Sequence, residues 1–69
     1  MKIFAERLKA LRKEDRRTSK EMAEFLEISQ RAYLYYESET NFPDIPRLIK
    51  LADFFNVTID YLVGRSEER

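Results

Sequence analysis

The chain has no cysteine and no histidine among its 69 residues. Without thiols there is no disulfide framework and no thiolate metal site, and without imidazole no His-based general acid or base. Neither a metal nor a cofactor is therefore expected. One Gly and two Pro leave little material for hairpin turns, so strands should be few. No apolar run approaches the roughly 18 residues that cross a bilayer. The N-terminal stretch MKIFAERLKALRKE mixes charge with apolar residues at helical spacing, unlike the unbroken apolar core of a signal peptide. A soluble cytoplasmic protein with no membrane partner is the expectation. Glu21 and Glu24 lie one helical turn apart, but such a pair without a pocket is surface charge. With no glycine-rich phosphate loop either, nothing supports catalysis, and the chain reads as a non-enzyme.

What is present suits one small globular domain. Hydrophobic residues make up 43% and charged residues 38%, a folding composition rather than a disordered one. The 69 residues lie near the lower limit for a self-sufficient core. Net charge is zero, from 13 cations and 13 anions, but its distribution is uneven. Residues 1–20 carry +5, residues 21–26 carry −2, residues 27–46 carry −3, and the remainder balances.

Periodicity and capping signals divide the chain into five short helices. Phe4, Leu8 and Leu11 form the apolar stripe of a first helix over about Lys2 to Glu14. After the polar DRR comes TSKE, Thr18 to Glu21, whose spacing fits a capping box. It opens a second helix to about Leu26 that buries Met22, Ala23 and Leu26. Ser29 caps a third, Gln30 to Glu37, with Tyr33 and Tyr36 on one face. SETNFP is a loop. Asp44 caps a fourth helix, which tolerates Pro46 in its first turn and has Leu48, Leu51, Ala52 and Phe55 as its stripe. Thr58 caps a last helix, Ile59 to Val63, and Gly64 suits its C-terminal end. The predicted fold is a compact all-α domain over residues 1–65, with residues 66–69 as a charged tail.

The pieces FAERLKALRKE, TSKEMAEFLEIS, YYE, the Pro43-Asp44 step and LIKLADFFNVTIDYLVGR, in this order, resemble the Cro/repressor-type (Xre family) helix-turn-helix proteins over about residues 2–65. The resemblance implies a five-helix lambda-repressor-like domain that binds double-stranded DNA and regulates transcription. It implies that Gln30 to Glu37 lies in the major groove and that the helix from Thr18 to Leu26 crosses the backbone. Gln30, Arg31, Leu34 and Tyr35 then face the bases. Gln30 has the chemistry to bond adenine N6 and N7, Arg31 to fork onto guanine O6 and N7, and Leu34 to cover a thymine methyl. Tyr35 offers a hydroxyl to phosphate or its ring to a methyl. Thr18, Ser19, Thr40 and Asn41 remain as neutral backbone contacts. Arg16, Arg17 and Lys20 are read either as further phosphate grips or as plain solvated charges. Arg12 and Glu37 match a semi-buried ion pair of the family that ties the first helix to the third.

The departures from the family pattern weaken the backbone grip. Ser19 stands where Gln is common, Glu27 where the turn usually holds Gly, and Tyr35, Ser38 and Glu39 where basic residues or Gly are frequent. Phe42 is either part of an apolar partner surface with Leu34 and Tyr35 or folded back over the core. Phe54, Val57, Ile59, Tyr61, Leu62 and Val63 exceed what one short terminal helix should hide, so Tyr61 and Leu62 are expected at a homodimer interface. A dimer would read half-sites about one helical turn apart. The alternative is a protein-binding module that pairs with another regulatory protein, which suits the acidic, aromatic stretch 27–46 but not the retained Gln30 and Arg31.

Overall fold

The computed structural model describes all residues from Met1 to Arg69. Five helices account for the regular structure: α1 (Lys2–Glu14), α2 (Ser19–Leu26), α3 (Gln30–Glu37), α4 (Ile45–Phe55) and α5 (Ile59–Leu62). They pack into a body of 29 × 22 × 20 Å. No helix is long and apolar enough to cross a membrane.

Side-chain caps set four of the five helix starts. Thr18 accepts the Glu21 N–H at 3.1 Å while Glu21 accepts the Thr18 N–H at 2.8 Å, a complete capping box. Ser29, Asp44 and Thr58 accept the N–H groups of Ala32, Arg47 and Tyr61. Two helices end in a left-handed residue that is not glycine: Glu27 (φ 59°, ψ 42°) after α2 and Asn56 (φ 54°, ψ 47°) after α4. Asn adopts this conformation readily, whereas Glu does so at a cost of roughly 1 kcal/mol. The sole glycine, Gly64, has φ +86°, and a Cβ there would stand 2.7 Å from Ile3 Cγ2. Both the backbone conformation and the close approach of α1 therefore call for glycine.

One apolar cluster joins all five helices. α1 contributes Phe4, Leu8 and Leu11, α2 Met22, Ala23 and Leu26, and α3 Tyr33 and Tyr36. Leu48, Leu51 and Ala52 of α4 close it, with Val57 and Leu62 from the C-terminal part. Phe55, expected in the α4 stripe, is only partly buried and packs edge-on against Phe54.

The C-terminal part corrects one expectation. Leu62 is completely buried, so it belongs to the core and not to a partner surface. Val57 is buried as well, and Phe54, Ile59, Tyr61 and Val63 pack against the cluster. The short helix hides this surface because α1 and α4 both lean on it and because residues 66–69 fold back beside it. The Arg7 guanidinium lies 4.2 Å over the Tyr61 ring, bonds the Ser66 carbonyl at 2.8 Å and pairs with Glu67. Arg69 forks onto Glu14 at 2.7 and 2.8 Å, and its carbonyl accepts the Thr58 N–H.

Candidate nucleic-acid interface

α2 and α3 meet through a turn of three residues, Glu27 to Ser29, and both present their N-terminal ends to solvent. Of the first N–H groups of α2, that of Glu21 is taken by the Thr18 hydroxyl, while those of Ser19 and Lys20 have no acceptor within the helix and remain available to an anion. α3 is strictly two-faced. Tyr33 is 0% exposed and Tyr36 is buried, while Gln30, Arg31, Leu34 and Tyr35 are all exposed on the opposite side. Spacings of one, three and four residues put those four side chains on one continuous face.

The two helix starts are tied together. Gln30 Nε2 donates to Ser19 Oγ at 2.9 Å. This consumes one of the two amide hydrogens and leaves Oε1 and the other N–H for a ligand. Ser19, expected from its place in the sequence as a phosphate contact, holds Gln30 in one orientation. Nothing local in the sequence signals that bond, because the partners are eleven residues apart on different helices.

The cations around α2 are not equivalent. Arg16 sits at φ 56°, exposed, and neither it, Lys20 nor Arg31 forms an ion pair. Arg17 is engaged: its Nε donates to Asp15 at 2.8 Å, Glu21 lies 3.9 Å away, and its guanidinium stands 5.3 Å from the centre of the Phe54 ring. The bond to Asp15 raises the Arg17 pKa above its ordinary value. Beyond α3, the backbone N–H groups of Thr40 and Asn41 both donate to the Tyr35 carbonyl, and the Thr40 hydroxyl meets that of Ser38 at 2.8 Å. Glu39 takes the left-handed position of this turn, φ 66°. Thr40 and Asn41 are exposed, so this turn holds two neutral donors next to the exposed face of α3.

Behind the exposed face of α3, Arg12 of α1 forks onto Glu37 of α3 with bonds of 2.7 and 3.0 Å. The two side chains are 15% and 7% exposed. Arg12 also donates to the Arg17 carbonyl, and the Tyr33 hydroxyl donates to Glu37. Burial, then the bond to Glu37, pushes the Tyr33 phenol far above its ordinary pKa, so it stays a donor. The bond to Glu37 likewise raises Arg12 against the lowering effect of burial. With Glu37 engaged by three internal donors, the network orients α3 and leaves its outer face to Gln30 and its neighbours.

Phe42 does two things at once. Its ring packs edge-on against Phe4 at 4.8 Å between centroids, yet 42% of the residue stays exposed. Tyr61 is only half-open, lying beneath Arg7 and Arg69.

Residues 5–67 match the family described as helix-turn-helix domain. The transcriptional regulator ImmR of Bacillus subtilis is 40% identical over 64 residues, covering 93% of this chain and 50% of its own. The CTXphi transcriptional repressor RstR of Vibrio cholerae is 42% identical, covering 94% of this chain and 57% of its own. A crystal structure of a transcriptional regulator from Listeria innocua superposes with a TM-score of 0.87 at 42% identity, over 96% of this chain and 62% of that one. The chain thus spans only about half to three-fifths of the length of these relatives.

Proposed function

The chain belongs to the helix-turn-helix domain family, and we propose that it is a sequence-specific, double-stranded-DNA-binding regulator of transcription. On this reading it is a cytoplasmic repressor that acts as a homodimer on a two-fold operator. The observation that carries it is the pairing of Gln30 and Arg31 at the open end of α3, with the Gln30 amide held by Ser19. A fixed amide presents one acceptor and one donor, which is the pattern that matches adenine N6 and N7. Arg31, free of any acid, supplies the fork for guanine O6 and N7. Leu34 and Tyr35 follow along the groove, while Ser19, Thr18, Lys20, Arg16, Thr40 and Asn41 position the phosphates. Arg17 joins them only by leaving Asp15.

A second reading has a specific observation behind it. Leu34 and Tyr35 are 43% and 37% exposed, and the nearby turn carries Glu39 instead of a cation. A protein partner, such as another regulator, would accept such a surface. Selection from a random duplex library at low salt separates the two. Enrichment of a two-fold motif supports the DNA reader. Retention of nothing above background removes it and leaves the protein-binding module.

A further inference from the structure

The turn between α2 and α3 contains no glycine and starts at Glu27 in a left-handed conformation, φ 59°. Ile28 packs against the core from within this turn. Toward α4, however, the turn is not packed. An open cleft of about 350 Å³, lined by Leu26, Glu27, Pro46, Arg47 and Lys50, separates it from the first turns of α4. Two polar ties cross the cleft. Arg47 Nε donates to the Leu26 carbonyl at 3.3 Å. That oxygen lies in the last turn of α2, beyond reach of any donor in its own helix, and a cation there also complements the helix dipole. Lys50 Nζ stands 3.8 Å from Glu27 Oε2, on the residue that closes α2.

Arg47 is itself aimed by Asp44. One Asp44 oxygen accepts the Arg47 N–H as the cap of α4, and the other accepts from Arg47 Nη1 at 3.0 Å. Asp44, Arg47 and the Leu26 carbonyl thus link the start of α4 to the end of α2. We propose that Arg47 is a positioning residue for base recognition: by clamping the end of α2 it fixes where Ser19 holds Gln30. The inference rests on the DNA reading above.

The geometry makes the coupling direct. α2 has eight residues and is therefore about 12 Å long, so a tilt at Leu26 displaces Ser19 at its other end. The displacement reaches Gln30 through the 2.9 Å bond from its amide to Ser19. It also reaches Gln30 along the chain, since Gln30 follows Leu26 by only four positions. Arg47 is bonded to Leu26 and Asp44, whereas Arg16, Lys20 and Arg31 form no ion pair. Arg47 therefore acts through α2 and not as a further phosphate grip.

Two variants of the full chain test this. Arg47→Gln removes the guanidinium, and Asp44→Asn keeps a good cap on α4 while removing the charge that aims Arg47. If the first loses its fold, the second is read alone. Amide hydrogen exchange without DNA is the first readout. The amides of Glu27, Ile28 and Tyr33 bond to Glu24, Ala23 and Ser29 and so report on the turn. They should exchange about three- to tenfold faster in both variants, the order expected for one partly exposed charge-assisted bond. The Leu8 and Leu11 amides of α1 should change by less than about twofold. Equal acceleration of all five amides means a role in global stability only and overturns the proposal, as does an unchanged turn. On duplexes that the unmodified chain enriches from a random library, both variants should lose about threefold or more of the preference at the base read by Gln30. The salt dependence of Arg47→Gln should match that of the unmodified chain. A slope lower by about one, with affinity lost evenly across sequences, makes Arg47 a phosphate grip and overturns the proposal. A loosened turn with intact base preference overturns it too. A loosened turn in the variants, with no DNA retained even by the unmodified chain, keeps the clamp on α2 and overturns the DNA reading instead.

Discussion

Replacing Glu37 by Gln perturbs one carboxylate that serves three donors. The fork from Arg12 and the bond from the Tyr33 hydroxyl all end on it, and it is only 7% exposed. Glutamine keeps the shape but has one acceptor oxygen and no charge. Its one oxygen, in the place of Oε2, can still accept from Tyr33 and Arg12 Nε, but its amide hydrogens, in the place of Oε1, would face Arg12 Nη2, which loses its acceptor. Breaking a well-buried pair by removing one charge costs about 3–5 kcal/mol. Here Arg12 is 15% exposed and keeps its bond to the Arg17 carbonyl, so the cost is lower, roughly 2–4 kcal/mol. A domain of this size loses about 4–8 °C of melting temperature per kcal/mol, so the transition should fall by roughly 10–25 °C. Thermal unfolding followed by circular dichroism reads this directly. Combining Glu37→Gln with Arg12→Met should cost clearly less than the sum of the two single changes, because the second removes the stranded charge. A Glu37→Gln protein that melts within about 2 °C of the unmodified chain, the uncertainty left by exposed substitutions, would refute the reasoning.

Other outcomes follow from the same geometry. Arg31→Ala should weaken operator binding by about 1–3 kcal/mol and relax one base position, as read by competition titrations against single-base variants. Ser19→Ala should leave the fold intact and lower the preference at the base read by Gln30, because that amide loses its tether; unchanged preference would remove the positioning role. The Thr18 N–H holds the Glu21 carboxyl below its ordinary range, and Arg69 does the same for Glu14. Carboxyls depressed by folding add stability above their unfolded pKa of about 4.3 and lose it as pH falls through the folded value. Melting temperature should therefore drop below about pH 4.3, less steeply in Glu14→Gln and Glu21→Gln than in the unmodified chain. Glu27→Gly should raise stability by about 0.5–1 kcal/mol, since φ 59° strains the glutamate there, and denaturant titration would detect it.

Much of the fold was legible residue by residue. The caps Thr18, Ser29, Asp44 and Thr58 announce themselves because a capping side chain bonds an N–H three residues on, a distance within the reach of a local pattern. Tyr33 and Tyr36 read as core for the same kind of reason: helical spacing alone assigns them to one face. The exposed face of α3 is simply the other side of that assignment. The error lay in the C-terminal part, where Leu62 reads as surplus apolar surface. Counting side chains on one short helix ignores what folds over it, and here the covering groups, Arg7 and residues 66–69, are more than fifty positions apart in the chain.

By itself, then, the sequence determined the helix starts, the all-α architecture and which side of α3 points outward, because each depends on hydrogen bonds and side-chain directions within one or two turns. Only the tertiary structure decided that Ser19 orients Gln30, that Arg17 turns toward Asp15 and Phe54, that Tyr61 is closed over, and that Phe42, Ile45 and Ile49 are left open. Those outcomes depend on which helices lean together, and contacts between distant residues leave no periodic mark on the chain.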